Sequence, residues 1–508
     1  MSIRLRYAPS PTGELHLGSL RTIIFNILFA AQTPGGFFLI RVEDTDQARA
    51  VEGSAKRQLE ALRWMGIEPD EGVCLDAAGN LIEKGEFGPY TQSMRLDIYG
   101  KYADQLLEAG SAYRCFCTSE RLEQMRAEQQ AAHLPPRYDR RCRSLSKEES
   151  EKRAHNEPFV IRMAIPDEGT VGFTDIIRGE ISFQCADLDD QILMKTDGFP
   201  TYHLAVVVDD HLMNITHILR GEEWLPSTPK HLLLYKAFGW QEPLYAHVPV
   251  ILGPDGKHKL SKRDGDVAVI NYRDKGYLPE ALFNALAFVG WSPGTEEEFL
   301  TREQLTEKFK LEKAQKSAAV FSFERLDYVN GWYIRQLSLA KVVEHMLPWL
   351  VGEALLEKGA NGYRFTSELA IEGAVEPYLE TVARAVQERL KHFDETVEAA
   401  GFFFRRPEFS PESVQIVVPK KGELGTTVKI LESAIEFLKG IPQWTVEVIE
   451  ERLHEFILEG EYKNGEVLWP IRASLTGAAG SPGAFEMLAI LGKEESLARL
   501  HAVLEITS

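Results

Sequence analysis

Two stretches of the chain hold residue types suited to phosphate chemistry. In Tyr7–Ser19 (YAPSPTGELHLGS) a strand ends, a proline- and glycine-rich turn follows, and His16-Leu17-Gly18-Ser19 opens a helix. The free N–H groups and positive dipole end of a helix start favour an anion. Gly18 lets a ligand approach the backbone closely, and His16 adds a donor for a phosphoryl oxygen. Taken alone, the tetrapeptide is a weak signal and reads as an ordinary helix-start turn with a surface histidine. The second stretch, Gly253–Asp266 (GPDGKHKLSKRDGD), is a glycine-rich loop carrying Lys257, Lys259, Lys262 and Arg263. Cations on a mobile loop can close over a triphosphate and neutralise charge as pyrophosphate leaves; the plainer alternative is a basic surface loop.

Two further groups carry chemistry. Cys115 and Cys117, with Cys142 later in the chain, have spacing that suits a structural zinc loop, where zinc takes four ligands. A set of reduced, unmetallated cysteines is the other reading. Cys74 and Cys185 are expected to be packing residues. Arg137–Arg143 (RYDRRCR) is the densest basic stretch, either a solvated loop or a patch that meets phosphates.

These residues need a scaffold. Ile3–Ala8 reads as a strand, a helix runs from about Gly18, Phe37–Val42 is a near-continuous apolar strand, and Ser54–Met65 is an amphipathic helix ended by Gly66. This alternation predicts βαβ units and a parallel sheet. Met94–Ala109 is a further helix. From Ala112 to about Gln191 short strands and charged loops suggest an inserted module. The apolar runs Leu204–Val208 and His247–Leu252 predict a return to the sheet. From about Leu278 helices dominate; Ser338–Leu350 and Thr427–Leu438 each begin at a residue suited to an N-cap. The turn-rich Phe404–Gly425 is a candidate linker.

Composition narrows the class. The 508 residues allow about three to five domains. With 44% apolar and 26% charged residues the chain is neither fibrous nor disordered. The net charge of −19 argues mildly against a polyanionic partner, so RNA would have to meet a local basic face. The longest apolar run, Thr22–Ala31, is broken by Asn26 and falls short of the ~20 residues a membrane span needs. The N-terminal MSIRLRYAPSP has no signal-peptide pattern, and five cysteines fit a reducing, cytoplasmic compartment.

Taken together, His16-Leu17-Gly18-Ser19 and Lys259-Leu260-Ser261-Lys262-Arg263 resemble the paired signatures of class I aminoacyl-tRNA synthetases. The flanks are similar to glutamyl-tRNA synthetases of bacterial type. They are Arg6–Gly13 (RYAPSPTG), Arg41–Asp46 (RVEDTD), Tyr202–Ala205 (YHLA), Val208–His211 (VDDH) and Arg220–Trp224 (RGEEW), then Asn330-Gly331, Leu475–Gly477 and Phe485–Lys493 (FEMLAILGK). The resemblance covers essentially the whole chain.

It implies ATP-dependent ligation of L-glutamate to tRNA-Glu through a glutamyl-adenylate, with Mg2+ beside ATP. No protein nucleophile is required, so catalysis rests on positioning and charge stabilisation. The matching positions are catalytic His16, Lys259 and Lys262, and ATP contacts from His16, Gly18, Glu223, Trp224, Ile251, Lys259, Ser261 and Lys262. Arg6, Ala8, Ser10, Glu43, Tyr202 and Arg220 fall where relatives hold glutamate. Arginine offers a carboxylate a bidentate fork; Glu43 would pair with the α-ammonium and Tyr202 would supply a hydroxyl. Without that context, Arg41, Glu43, Asp44 and Asp46 read as a surface ion-pair cluster and Arg220 as a strand-end arginine. Val206 stands where some members carry a substrate-contacting asparagine, so that contact is not carried over. Some bacterial members close a zinc loop with C-x-H, but Cys142-Arg143-Ser144 lacks the histidine. By likeness to a truncated tRNA-modifying relative, Tyr138 would be the fourth ligand, with the unmetallated alternative still open.

The fold expected is α/β: a Rossmann-like parallel-sheet catalytic core, an inserted α+β acceptor-binding domain and an all-helical C-terminal half. The expected boundaries are 1–94 plus 195–252 for the core and 95–194 for the insertion. A connecting domain with the K-L-S-K-R loop takes 253–337, and helical anticodon-binding modules take 338–410 and 411–508. The expected partners are tRNA-Glu, L-glutamate and ATP, with no membrane, and the expected state is a cytoplasmic monomer. The helical C-terminal third argues against glutaminyl-tRNA synthetase, whose second half is β-barrel. It also argues against the truncated paralogue and against a small-molecule nucleotidyltransferase. Intact His16, Lys259 and Lys262 argue against a catalytically dead tRNA-binding protein. Whether tRNA-Gln is also charged stays open.

Overall fold

A computed structural model of the chain describes residues 2–261, 263–360, 362–371 and 374–507. It divides into two compact units, Met1–Arg273 with Leu282–Phe323, and Asp274–Ala281 with Glu324–Ser508.

The first unit begins with β1 (Arg4–Tyr7), α1 (Leu17–Ala31), β2 (Phe37–Ile40), α2 (Ser54–Trp64), β3 (Glu71–Leu75) and β4 (Leu81–Lys84). β1, β2 and β3 pair in parallel and β4 turns back antiparallel at the edge. The chain continues through α3 (Leu96–Glu108), β5 (Ala112–Cys115), α4 (Ser119–Ala131), α5 (Lys147–Ala154), β6 (Val160–Met163), β7 (Thr170–Asp175), β8 (Gly179–Gln184) and β9 (Ile192–Met194). Then come α6 (Tyr202–Leu212), β10 (His217–Gly221), α7 (Thr228–Phe238), β11 (Leu244–Val248) and β12 (Ile251–Leu252). β10 and β11 are parallel. The Thr216 N–H donates to the Arg4 carbonyl at 3.0 Å, which lays β10 beside β1 and joins the two parallel sets. Parallel strands joined by helices are buried on both faces, hence the apolar Leu5, Phe38–Ile40 and Ile218–Leu219.

Several expectations need correction. Leu204–Val208 is not a strand but part of α6, and the whole of Leu204–Asp210 is buried. A helix surrounded by protein loses the amphipathic rhythm that separates it from a buried strand. The sheet also ignores the boundary expected at residue 194, because β7 pairs in parallel with β11 and carries the β7–β8 hairpin onto it.

Among the described residues of the second unit the helices are interrupted by a hairpin, Leu356–Gly359 with Gly362–Phe365, so the half is not entirely helical. Ser338 caps its helix by accepting from the Lys341 N–H. Thr427 instead lies inside Leu424–Lys439 and bonds back to the Glu423 carbonyl. Phe404–Gly425 is no free linker: Phe404, Val414 and Val417 are buried, and the Trp469 indole N–H donates to the Ile416 carbonyl. Among the described residues no helix is long and apolar enough to cross a membrane.

Candidate active site

The residues singled out for chemistry gather at the carboxyl ends of parallel strands, where open α/β sheets bind ligands. His16 is the N-cap of α1, its Nδ1 accepting the Gly18 N–H at 3.3 Å. That bond leaves the ring proton on Nε2. A Cβ added to Gly18 would meet only His16 Nδ1, at 3.6 Å, so packing alone does not require glycine there. The exit of the lysine loop is tied to this helix start. Leu17 N–H donates to the Val267 carbonyl and Val269 N–H to the Leu15 carbonyl, each at 2.9 Å. Within the loop, Leu260 N–H donates to the carbonyl of buried Ile251 at 2.8 Å, and Ser261 donates through N and Oγ to Asp264. Lys259 is 62% exposed, its Nζ 3.6 Å from Glu223. Lys262 lies outside the described residues. The Trp224 ring leans on Tyr202 with centroids 4.4 Å apart.

Arg41 and Glu43 do not form a surface cluster; both are buried. Arg41 donates to Glu43 at 2.8 Å and to Asp210 at 2.8 Å, and Arg6 Nε donates to the same Asp210 at 3.2 Å. Asp209 receives Arg95 at 2.8 Å, Gln92 at 2.9 Å and Tyr99 at 2.8 Å. Three arginines therefore face three carboxylates, and this cluster is balanced. Burial pushes the Asp210 carboxyl up, but Arg6 and Arg41 hold it below the ordinary carboxylate value. Burial outweighs Arg41 at Glu43, whose carboxyl is raised. The turn beyond β1 is braced by Glu43 N–H on the Pro9 carbonyl at 2.9 Å and Gln58 Nε2 on the Ser10 carbonyl at 3.3 Å. Ala8 is half-buried there and Ser10 exposed.

Arg220, at the end of β10, is different. Its Nε donates to His247 Nε2 at 3.1 Å. One terminal nitrogen donates to the Tyr202 hydroxyl at 3.2 Å and lies 3.5 Å from His231 Nδ1; the other reaches Thr228 Oγ1 at 2.9 Å and the Trp224 carbonyl at 3.4 Å. Among the described residues it pairs with no carboxylate, although it is buried. His247 Nδ1 donates to Asp175 at 2.7 Å. Burial lowers the His247 pKa, with Asp175 opposing and Arg220 reinforcing. His203 and His231 meet through ring nitrogens at 3.1 Å; burial, Lys230 and Arg220 lower His203 to about 4. Burial raises the Tyr202 hydroxyl, against the pull of Arg220.

Away from this site, the Cys115, Cys117 and Cys142 sulfurs lie within 4.8 Å of one another, with Cys117 and Cys142 3.6 Å apart. The Tyr138 hydroxyl is 3.3 Å from Cys115 and 3.5 Å from Cys117. With Zn–S about 2.3 Å and Zn–O about 2.0 Å, tetrahedral ligands stand about 3.8 Å (S to S) and about 3.5 Å (S to O) apart. The donor set therefore fits. Cys74 and Cys185 are buried, free and outside this group. The arginine patch is largely neutralised: Arg137 pairs with Asp187, Arg140 with Asp167 and Asp190, and Arg143 with the same two acids. Among the described residues Arg141 alone of the four makes no ion pair, and it is exposed.

Asp175, Asp209, Asp210, Thr228, His231 and His247 received no role from sequence. Asp209 and Asp210 did carry a signal, two acids inside an apolar run, since such residues are almost never buried unless paired. Asp175 and His247 lie far apart in sequence and carried none. Val206 is buried on α6.

Comparison with known proteins closes the question of family. The model for tRNA synthetases class I (E and Q), catalytic domain, matches residues 2–328, and an anticodon binding domain matches 341–504. The chain is 44% identical over 504 residues to the glutamate–tRNA ligase of Clostridioides difficile, covering 98% of each. It is 42% identical over 510 residues to that of Finegoldia magna, covering 99% of each. The crystal structure of a glutamate tRNA ligase from Elizabethkingia meningosepticum, in complex with its amino acid, superposes with a TM-score of 0.86 at 35% identity, covering 100% of both chains. The chain belongs to the class I tRNA synthetases, in the family of glutamate–tRNA ligases.

Proposed function

We propose that the protein joins L-glutamate to tRNA-Glu in two steps, through a glutamyl-adenylate made from ATP with Mg2+. The observation that carries this is Arg220, a buried guanidinium whose partners among the described residues are all neutral, beside a cluster whose charges balance. A buried charge without a counter-charge is unfavourable, and a substrate carboxylate offsets it where a neutral amide does not. Arg220 and Arg6 hold the substrate's carboxylates, and Glu43 takes the α-ammonium. Tyr202, which accepts from Arg220, keeps its own proton to donate. Ala8 and Ser10 line the turn. The Nε2–H of His16 donates to a phosphoryl oxygen over the open Gly18, while Glu223, Trp224 and Ile251 frame the nucleotide. Lys259 leaves Glu223 and joins Ser261 and Lys262 on the phosphates. The α-carboxylate then attacks the α-phosphorus and the bond to pyrophosphate breaks. The terminal ribose hydroxyl of tRNA next attacks the acyl carbon and AMP leaves.

Cys115, Cys117, Cys142 and Tyr138 would hold a structural zinc, which would brace the segment around β5. The enzyme works in the cytoplasm as a monomer of 57.3 kDa, a state that sedimentation tests.

The deciding experiment is charging with labelled glutamate or glutamine on purified tRNA-Glu and tRNA-Gln. ATP- and Mg2+-dependent glutamyl-tRNA supports the assignment; glutaminyl-tRNA in its place overturns it. Lys262→Ala should slow pyrophosphate exchange, measured with tRNA present, by about 100-fold or more, the scale of one lost preorganised stabiliser. Unchanged exchange removes that role.

A further inference from the structure

We infer that Asp175 and His247 are positioning residues for the amino-acid site, a carboxylate–imidazole line that fixes which edge Arg220 presents. The inference rests on Arg220 being the glutamate-binding arginine proposed above. The three side chains come from neighbouring strands. Arg220 of β10 is the register partner of His247 of β11, and β7 pairs with β11 through Asp175 and Tyr245.

Asp175 is saturated with donors. Its Oδ2 accepts the His247 backbone N–H at 3.0 Å and the His247 Nδ1–H at 2.7 Å. Its Oδ1 accepts the Ile177 and Arg178 N–H groups, both at 2.9 Å. An acceptor-only carboxylate holds the imidazole proton on Nδ1. His247 Nε2 is then a lone pair that accepts from Arg220 Nε at 3.1 Å, with the Thr228 hydroxyl 3.2 Å away as its other neighbour. With Nε taken, only the two terminal nitrogens remain as an edge for a carboxylate. Their longest contacts, to His231 at 3.5 Å and the Trp224 carbonyl at 3.4 Å, are the ones a ligand would displace. Were the proton on Nε2, it would oppose the Nε–H of Arg220, and the fork would turn away. Sequence separates Asp175 from His247 by 72 positions, so only the fold makes this line visible.

The test is pyrophosphate exchange by the full-length enzyme with tRNA present, with KM measured separately for glutamate and ATP. Asp175→Asn, whose amide no longer selects the tautomer, should raise the glutamate KM about 10- to 100-fold, the scale of a misplaced binding group, and move the ATP KM by less than about twofold. His247→Gln keeps an acceptor near Nε2 and should stay closer to wild type than His247→Asn, which has none there. This contrast serves even where Asp175→Asn folds poorly. In an Arg220→Ala background, adding Asp175→Asn should raise the glutamate KM no further. Equal rises for both substrates, equal His247 variants, or an additive double variant would each reduce Asp175 and His247 to a folding role and overturn the inference. An unchanged glutamate KM in Arg220→Ala alone would instead remove the glutamate role of Arg220, and this inference with it, so the two failures are distinguishable.

Discussion

Replacing Asp210 by asparagine keeps the side chain's shape and removes its charge. That charge serves Arg6, at 3.2 and 3.3 Å to the two oxygens, and Arg41, at 2.8 Å, all buried. An asparagine carbonyl can accept from one guanidinium, but its amide then turns donors toward the other. Losing one partner of a buried ion pair costs about 3–5 kcal/mol. Arg41 keeps Glu43, so the lower part of that range, about 3–4 kcal/mol, applies. At about 2–4 °C per kcal/mol the first unit's melting transition should fall by about 6–16 °C. The pH dependence carries a sign. Burial raises the Asp210 carboxyl and the two arginines lower it further, leaving it below the ordinary value. The stabilisation is thus complete above the unfolded value near about 4 and is lost only as pH falls through the depressed folded value. Scanning calorimetry at two pH values, near neutral and about one and a half units below, should give the same gap between wild type and variant. A gap under about 2 °C, or one that narrows across that interval, would refute the reasoning.

Three other outcomes are expected. Tyr138→Phe should weaken zinc retention against a chelator by about 10-fold or more, read by metal analysis; equal retention would remove Tyr138 from the ligand set. His203, lowered to about 4, stays neutral in the folded state while the unfolded chain takes up a proton near about 6.5. Stability should therefore fall with pH across that window, by about 1.4 kcal/mol per unit for this one group, and urea midpoints of His203→Gln should show a shallower fall. An unchanged slope counts against it. Arg141→Glu should flatten the salt dependence of tRNA binding more than Arg137→Glu, because Arg137 already serves Asp187; equal effects would show that neither meets phosphate.

The strand–turn–helix of residues 3–31 was legible because its cues agreed: a short strand, a proline- and glycine-rich turn, then a mostly apolar helix. His16 and Arg220 were found by resemblance, and their partners were not. Asp210 reaches Arg6 across 204 positions, a pairing no local pattern encodes. Leu204–Val208 was misread because burial on every side erases periodicity. The arginine patch left two readings open, a solvated loop or a face that meets phosphates. Its positive charges stand together in sequence, but the acids that cancel them arrive from residues 167, 187 and 190.

The junction of β1 with β10 also bears on how the chain is made. Arg4 and Thr216 are 212 residues apart. At about 5–20 residues per second, β1 emerges from the ribosome some 10–40 s before the strand that covers it. During that interval its free edge is a template for mispairing, while β2 can already protect its other side. A nascent chain stalled before residue 217 is therefore an open half-sheet in need of a chaperone, and not a smaller catalytic unit.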